Sequence, residues 1–398
     1  MTSSTQHALD PLEVATGLVI GVAPHLHSAE RPRTGEPPLC ALERAILPAL
    51  ERAPCVVSFS GGRDSSAVLA VATAVARREG LPLPVPATNR FPAAASTDES
   101  EWQERVVSHL GLEDWIVLEH TDELDCIGSV ATDVLLRHGL LWPFNAHFHV
   151  PLLRLAAGGS LLTGIGGDET LSPSRWARAI DVLHGRVRPE PRDVLRIAFA
   201  LAPPALRRRA LRHRLPLLYP WLRPAARGAF ASAWAAQMAT EPISWAAHVD
   251  WVRRLRYLHV GLASLALLAA DDDVQIVHPF VDRDFTSALA GLSPRERFRS
   301  REEATRALFG ALLPGPILAR STKTVFDEAF WSESSRTFAG HWQGAGVDHQ
   351  IVDPEALAAE WTSPSPDPRS FLLVQAAWLS EQERSTDRLE QALDGARQ

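Results

Sequence analysis

Two glycine-rich segments carry the residues of this 398-residue sequence that are best suited to chemistry. The first reads Ser-Phe-Ser-Gly-Gly-Arg-Asp-Ser-Ser over residues 58–66, between an apolar run and a helical pattern. Glycines let a backbone approach a ligand, and hydroxyl and N–H groups at the start of a helix bind phosphate oxygens. This segment predicts a phosphate-binding loop rather than only a serine-capped helix start. Neither the Gly-Lys-Ser/Thr of a Walker loop nor a GxGxxG dinucleotide fingerprint is present.

The second segment, Leu-Leu-Thr-Gly-Ile-Gly-Gly-Asp-Glu over residues 161–169, supplies a second carboxylate. Asp64 lies inside the phosphate loop, where a carboxylate repels phosphate unless a cation stands between them. One carboxylate holds Mg²⁺ weakly, so Asp168 is the expected second ligand. Both loops follow apolar runs, and open α/β sheets bind ligands at the carboxyl ends of their strands. We therefore predict that Asp64 and Asp168 bind one Mg²⁺ ion together.

A parallel sheet is needed to bring these two loops together. Apolar runs alternate with helical patterns along the first 175 residues, which indicates βαβ units. Strands are predicted at 55–59, 83–90, 115–118 and 160–163, and helices at 42–52, 65–78, 97–110 with Thr97 as N-cap, 150–157, 255–270 and 371–393. Beyond about residue 175 the strand signals fade, and helices separated by Pro-rich breaks follow. We predict an α/β protein with an N-terminal extension over 1–40, an α/β core over 41–175 and a mainly helical region over 176–398.

Four motifs carry a resemblance to a known family. Residues 60–66 resemble the SGGxDSS loop of the PP-loop ATP pyrophosphatases, and 162–169 resemble the SGxGxDE segment of asparagine synthetases. Residues 279–282 (Pro-Phe-Val-Asp) resemble the PFLD motif of that family, and 320–326 resemble its late Arg/Lys-x-x-Lys-x-x-Phe segment. The chain thus resembles the synthetase domain of the asparagine synthetase family. The resemblance implies an adenine-nucleotide α-hydrolase-like (PP-loop) fold, with ATP bound by the 41–175 core.

The resemblance also implies a reaction and roles for individual residues. A substrate carboxylate would attack ATP to give an acyl-adenylate and pyrophosphate, and an amine would then displace AMP to form an amide. Asp64 and Asp168 would bind Mg²⁺ and act in catalysis, and Lys323 would stabilise developing negative charge. Asp64 would also belong to the nucleotide-binding set, whose other members would be Ser58, Ser60, Gly61, Gly62, Ser65, Ser66, Gly166 and Gly167.

Composition points to Lys323 independently of the motifs. It is the single lysine among 40 basic residues, and the other 39 are arginine. Asparagine and tyrosine are also rare, with two of each in the chain, which indicates a coding bias against these residue types. Under such a bias a lysine persists where a compact ammonium is needed and a planar guanidinium does not serve.

Charge is unevenly distributed along the chain. The net charge is −7, yet residues 175–227 hold 13 arginines and three acidic residues, a local balance of +10. A solvated helical face is the simpler interpretation of this stretch. A docking patch for an acidic peptide, a partner protein or a nucleic acid is the alternative.

Several positions depart from the asparagine synthetase pattern. Gln275 and Val277 replace an acid and an arginine of the family, and the Asp-Arg-Met helix signature is missing from 255–270. These changes argue against asparagine as the product. The acidic triplet 271–273 is interpreted as a solvated helix end, and the alternatives are a substitute base or an ammonium-binding site. About 50 residues precede the loop and residue 2 is threonine, so no glutaminase domain with its N-terminal cysteine is expected.

The expected activity is therefore an ATP-dependent ligase that forms an amide, intramolecularly or on a peptide or specialised metabolite. The lasso peptide cyclases, which close a macrolactam ring, are the nearest type, and a carboxylate substrate with a leader-peptide-binding or protease partner is expected. The alternatives are an ammonia-dependent asparagine synthetase, a tRNA-modifying enzyme and, in a different class, a non-catalytic nucleotide-binding partner protein.

Other features of the sequence bear on the cellular location of the protein and on metal binding. Three cysteines without CxxC spacing indicate neither a disulfide framework nor a cysteine-rich zinc site. The N-terminus lacks the pattern of a secretory signal, and the 255–270 stretch is too short and too interrupted by charge to span a bilayer. We predict a cytoplasmic protein without membrane insertion and with no nucleic-acid partner. His138, His147 and His149 are expected to serve packing or capping rather than metal binding.

Overall fold

The computed structural model describes residues 8–23, 35–213, 219–293, 297–320 and 326–397. The strands are β1 (Cys55–Ser58), β2 (Val85–Arg90), β3 (Ile116–Glu119), β4 (Ser160–Leu162) and β5 (Gln275–Val277). The helices of the first half are α1 (Pro11–Thr16), α2 (Pro38–Leu50), α3 (Arg63–Glu79), α4 (Ser100–Leu110), α5 (Ser129–His138), α6 (Val150–Leu155), α7 (Gly167–Thr170), α8 (Ala177–Leu183), α9 (Pro191–Leu201) and α10 (Pro204–Arg212). The helices of the second half are α11 (Pro224–Ala239), α12 (Trp245–Arg253), α13 (Arg256–Asp271), α14 (Arg283–Ala290), α15 (Arg301–Phe309), α16 (Gly315–Ala319), α17 (Glu333–His341), α18 (Pro354–Trp361) and α19 (Phe371–Arg397).

The five strands form one parallel sheet in the order β3-β2-β1-β4-β5. Val56 of β1 lies opposite Val85 of β2 on one side and Leu161 of β4 on the other. The chain leaves β1 toward β2 and later crosses back to place β4 on the opposite flank. The order therefore reverses between β1 and β4, and open α/β sheets bind their ligands in the crevice at such a point.

Alternating side chains of the sheet support two separate cores. Cys55 and Val57 pack with the apolar residues of α2 and α3, whereas Val56 and Leu161 pack with those of α6 and α13. Successive residues of a strand point to opposite faces, so a strand covered on both faces reads as a continuous apolar run. This explains why the predicted buried strands were recognisable, and the predicted α/β fold with a parallel sheet is confirmed.

A third core joins the two ends of the chain. Its largest fully buried side chains include Trp221, Trp361 and Phe371. The Trp221 indole N–H donates to the carbonyl of Ala15 at 2.8 Å, so α1 packs against the helical second half. Among the described residues, none of the helices combines the length and the apolar character needed to cross a membrane.

One expectation about these elements is wrong, and one strand was not predicted. Thr97 does not cap α4, because the helix begins at Ser100 and the Thr97 hydroxyl donates to the carbonyl of Ala94 at 2.7 Å. Strand β5 lies in the half that was expected to be mainly helical. With only three residues, it is too short to produce a periodic signal in the sequence.

The acidic triplet 271–273 lies where it cannot act as a substitute base. Asp271 accepts hydrogen bonds or ion pairs from His138 and Arg137, and Asp273 pairs with Arg52. The triplet directly precedes β5, which runs parallel to the other strands, so it lies at the amino edge of the sheet. The site loops follow the carboxyl ends, and the interpretation as a base is therefore wrong.

Candidate active site

The first glycine-rich loop leaves β1 after Ser58 and enters α3 at Arg63. Gly61 has a φ of +79°, and a Cβ there would lie 2.8 Å from Gln103 Cγ, so conformation and space both require glycine. The Ser60 N–H donates to Ser65 Oγ at 3.2 Å, and the two serine hydroxyls lie 3.0 Å apart. These contacts curl the loop so that both hydroxyls line one cavity.

The start of α3 adds backbone donors to this loop. Its first internal hydrogen bond runs from the Ser66 N–H to the Gly62 carbonyl at 3.0 Å. The N–H groups of Arg63, Asp64 and Ser65 therefore have no acceptor within the helix. Since free N–H groups and the helix dipole favour anions, this arrangement fits the phosphate oxygens of a nucleotide.

The second loop packs directly onto the first. A Cβ on Gly164 would lie 2.8 Å from the Ser65 nitrogen, and one on Gly167 would lie 2.4 Å from Asp64 Cγ. Only glycine permits so close an approach at these two positions. The interlocked loops bring Asp168 beside Asp64, as the sequence predicted.

A cavity of about 420 Å³ lies between the two loops. The predicted site residues that line it are Ser58, Ser60, Gly62, Asp64, Ser65, Gly166 and Asp168. Three other predicted residues do not line it: Gly61, Ser66 and Gly167. Ser66 is fully buried under the loop, and the two glycines lie where a side chain would collide with a neighbour. These three residues shape the loops in the structure, and their place in the nucleotide-binding set stays a prediction.

Arg301, the first residue of α15, bridges the two site carboxylates. One guanidinium nitrogen contacts Asp64 and the other contacts Asp168. The side chain is 19% exposed, so the ion pairs are partly shielded from water. Both carboxylates thus already share one cation in the structure. Nothing in the sequence distinguished this arginine from the other 38, and only the fold reveals its position.

The environment of Asp64 suits a metal ligand. Burial raises the pKa of this carboxyl, while the positive charge of Arg301 opposes the rise. Within the described part of the chain, Asp64 Oδ1 is buried without a hydrogen-bond partner. A buried oxygen of this kind favours a further cation, and carboxylate oxygens are the ligands that Mg²⁺ prefers. The residues present therefore fit a Mg²⁺ ion that two carboxylates and phosphate oxygens would share.

A buried ion pair holds the phosphate loop from the other side. Arg320 pairs with Glu99, and each of the two side chains is about 5% exposed. Arg320 also donates to the Gly61 carbonyl at 3.2 Å and lies over the Trp102 ring. Removing one partner of such a pair leaves a buried charge without compensation, so the pair fixes the loop firmly. Glu99 was not among the predicted site residues.

His149 and Glu169 line the remaining wall of the cavity. Burial lowers the pKa of His149 to about 4, so its ring is uncharged at neutral pH. Burial raises the pKa of Glu169, which accepts a hydrogen bond from Tyr257 at 3.1 Å. Both residues add hydrogen-bonding groups to the cavity wall. No role was predicted for Glu169, and His149 was expected to serve packing or capping, so its place in the cavity wall was not predicted.

The Pro-Phe-Val-Asp motif supports the site without lining the cavity. Asp282 accepts hydrogen bonds from the N–H groups of Asp284 and Phe285 and so caps α14. The Val281 side chain would meet a Cβ on Gly166 at 2.3 Å, so it packs against the second loop. The two replaced family positions, 275 and 277, belong to β5, and neither lines the described part of the cavity.

The histidines proposed for packing make such contacts. His138 lies 2.8 Å from an Asp271 oxygen, and His147 Nε2 lies 3.1 Å from the Leu124 carbonyl. Across the described ranges, no group of three or more His, Cys, Asp or Glu side chains is arranged to hold a metal ion. The pair formed by Asp64 and Asp168 supplies only two protein carboxylates, so it is not a group of three.

Lys323 lies outside the described residues, which stop at 320 and resume at 326. Both flanking residues, Arg320 and Phe326, line the cavity. Phe326 also packs against Phe91 and Phe148. The role of Lys323 therefore stays a prediction from the sequence, with both of its described neighbours at the site.

Comparison with known families agrees with this architecture. The family model described as asparagine synthase matches residues 41–382. The match begins in α2 and ends in α19, and it includes every predicted site residue. Comparison with curated proteins gives no match, so the family assignment rests on this model. The synthetase domain of this family uses ATP with Mg²⁺.

Proposed function

Because this chain belongs to the asparagine synthase family, and so to the ATP-dependent ligases that join a carboxylate to an amine, we propose a specific form of that reaction. The substrate carboxylate attacks the α-phosphorus of ATP, the bond to the bridging oxygen breaks, and pyrophosphate leaves. An amine then attacks the acyl carbon, loses a proton and releases AMP as the amide forms. The preferred amine is one within the same substrate, a peptide or specialised metabolite, as in lasso peptide cyclases.

The arrangement of the two loops is the observation that carries this proposal. Asp64 and Asp168 come from separate loops and meet beside the free N–H groups of α3, with Arg301 between them. Ser60 and Ser65 present hydroxyls to the same cavity. Donors for phosphate and ligands for a cation thus converge at the point where the strand order reverses, as a nucleotide site requires.

Each of these groups has a distinct part in the proposed reaction. Ser60, Gly62 and Ser65 hold the pyrophosphate portion through hydroxyl and N–H groups. Asp64 and Asp168 hold Mg²⁺, which when bound neutralises charge on the phosphate oxygens. Lys323 stabilises the negative charge that develops as the acyl carbon is attacked. Residues 41–175 form the nucleotide-binding half in this proposal, and residues 176–398 complete the site through Arg301 and the 320–326 segment.

Substrate-dependent exchange of labelled pyrophosphate into ATP tests the proposal. Exchange that requires a peptide with an acidic side chain, and that aspartate does not support, is the expected result. Exchange with aspartate, followed by asparagine formation from ammonia, would show the ammonia-dependent synthetase instead. Tight ATP binding without exchange on any carboxylate would favour the non-catalytic alternative.

Replacing Arg301 with glutamine is expected to strengthen metal binding in the absence of nucleotide. The arginine occupies both carboxylates, so a cation must displace it, and removal of that competition should tighten Mn²⁺ binding about tenfold. Electron paramagnetic resonance of free Mn²⁺ measures this directly, without turnover.

Matched variants make the Mn²⁺ measurement specific. Arg306→Gln alters an exposed arginine of the same helix, paired only with Glu302 among the described residues, and should leave the affinity unchanged. Adding Asp64→Asn to Arg301→Gln should cancel the gain. An affinity that does not change in Arg301→Gln would mean that the arginine does not compete with the cation.

A further inference from the structure

Helices α9 and α10 expose an unusual number of large apolar side chains. In the described part of the chain, eight such residues are exposed, and five of them lie between residues 183 and 206. These five are 54–74% exposed, and they are Leu183, Val194, Leu195, Leu201 and Leu206. Single exposed leucines are common, but five within 24 residues form a patch, and such patches mark interaction sites.

Both helices have already buried a different face. Helix α9 packs Ile197 and Ala200 against the cluster around Trp176. Helix α10 buries Leu211 against α11, and its Arg207 lies over the Trp176 ring. Three of the exposed residues, Val194, Leu195 and Leu201, lie on α9 outside this packing and form an aliphatic stripe, in which Val194 and Leu201 are about two helical turns apart. Packing against the residues that the structure describes does not account for that stripe.

The same surface carries unpaired positive charge. Residues 183–213 contain eight arginines and two acidic residues. Both acids are used locally, because Glu190 pairs with Arg178, and Asp193 pairs with Arg178 and Arg196. Five exposed arginines form no ion pair with any described residue: Arg188, Arg192, Arg208, Arg209 and Arg212. A merely solvated face would carry these charges without the leucines.

The combination of aliphatic side chains and unpaired arginines indicates which kind of partner this patch binds. Two copies of this surface would repel one another, and contact with an acidic region elsewhere on a second copy would be heterologous and would build a ring or a filament. An anionic membrane would meet the same arginines, but a helix at a membrane interface inserts its main apolar face, and on α9 the face with Ile197 and Ala200 is already packed within the chain. A partner with carboxylates beside aliphatic side chains satisfies both features at once.

We propose that the exposed face of α9 and α10, defined by Val194, Leu195, Leu206, Arg208 and Arg209, binds an acidic amphipathic segment of a partner protein. Leucine or valine side chains of the partner cover the aliphatic stripe, and its carboxylates pair with the arginines. The proposal is independent of the ligase reaction. The surface is nevertheless close in sequence to the site. Helix α7, which contains Asp168, ends at Thr170, and α8 begins at Ala177 and leads to α9.

A designed peptide tests this surface. The probe is a fluorescein-labelled helical peptide with Leu at i, i+3 and i+4 spacing and Glu at the flanking positions, and fluorescence anisotropy measures its binding to the full chain. Binding should weaken as salt increases, because charge pairs at a surface are screened. Leu195→Glu and the double variant Arg208→Glu/Arg209→Glu should each weaken it at least about tenfold.

Matched controls separate the patch from general charge or hydrophobicity. Leu136→Glu on α5 and Arg154→Glu on α6 change equally exposed residues elsewhere and should bind the probe as the unaltered chain does. Circular dichroism confirms folding, and pyrophosphate exchange should be unchanged in all these variants, so this proposal can fail without the proposed function.

Three results would overturn the proposal. The first is a peptide affinity that is equal in the patch and control variants. The second is binding to phosphatidylserine-containing vesicles without binding to the peptide. The third is self-association that Leu195→Glu abolishes while the peptide does not bind, as seen by analytical ultracentrifugation.

Discussion

Replacing Asp64 with asparagine is expected to reduce pyrophosphate exchange into ATP on the order of a thousandfold. The carboxylate is partly buried, contacts Arg301 through one oxygen and leaves its other, buried oxygen without a hydrogen-bond partner among the described residues. The amide keeps the shape but removes the charge that would hold Mg²⁺ at the phosphate loop. A metal contribution of several kcal/mol to charge stabilisation corresponds to a loss of this size. Exchange measured across a range of Mg²⁺ concentrations tests it, and excess Mg²⁺ should restore only part of the rate.

Asp133→Asn is the matched control for this variant. Asp133 is exposed on α5, far in sequence from either loop, and its replacement should leave exchange unchanged. Thermal unfolding of both variants shows whether the fold is intact. Full exchange activity in a folded Asp64→Asn protein would refute the assignment of Asp64 as a metal ligand.

Replacing Lys323 with arginine is expected to lower kcat about a hundredfold, with little change in the KM for ATP. The substitution keeps the positive charge but replaces a compact ammonium with a planar guanidinium. If the residue stabilises charge that appears only in the transition state, the loss falls on kcat rather than on ground-state binding. Steady-state kinetics with the substrate that supports exchange separates the two constants.

Two comparisons make the Lys323 result informative. Lys323→Ala should be at least as impaired as Lys323→Arg, and Arg306→Lys, at an exposed position on α15, should retain full activity. Equal kcat values for the arginine variant and the unaltered chain would show that charge alone suffices. The solitary lysine would then reflect coding bias and nothing more.

The fold was predictable because two of its central strands, β1 and β4, are covered on both faces. Burial on both sides makes β1 and β4 read as short apolar runs, and each run ends directly at a glycine-rich loop. β5 escaped prediction because three residues carry no periodicity, and its place in the sheet depends on pairing with β4. Pairing between distant segments leaves no local signature in the chain.

The candidate site, like the fold, was predictable only in part. Motif spacing placed Asp64 and Asp168 at one sheet edge, and the fold brings them together. Arg301, Glu99 and the cavity position of His149 emerged only from the structure. An arginine among 39 has no distinguishing context in the sequence, because its importance comes from neighbours that are distant along the chain.

The sequence by itself determined the α/β class, the two loops and the pair of carboxylates, since glycines, hydroxyls and acids at strand ends have few other uses. It also marked Lys323 through its rarity. Only the tertiary structure decided which predicted residues line the cavity and that Ser66 lies beneath the loop. It also showed that the acidic triplet 271–273 belongs to the opposite edge of the sheet. The physical reason is that spacing along a chain specifies local geometry, whereas contacts across a fold depend on how whole elements pack.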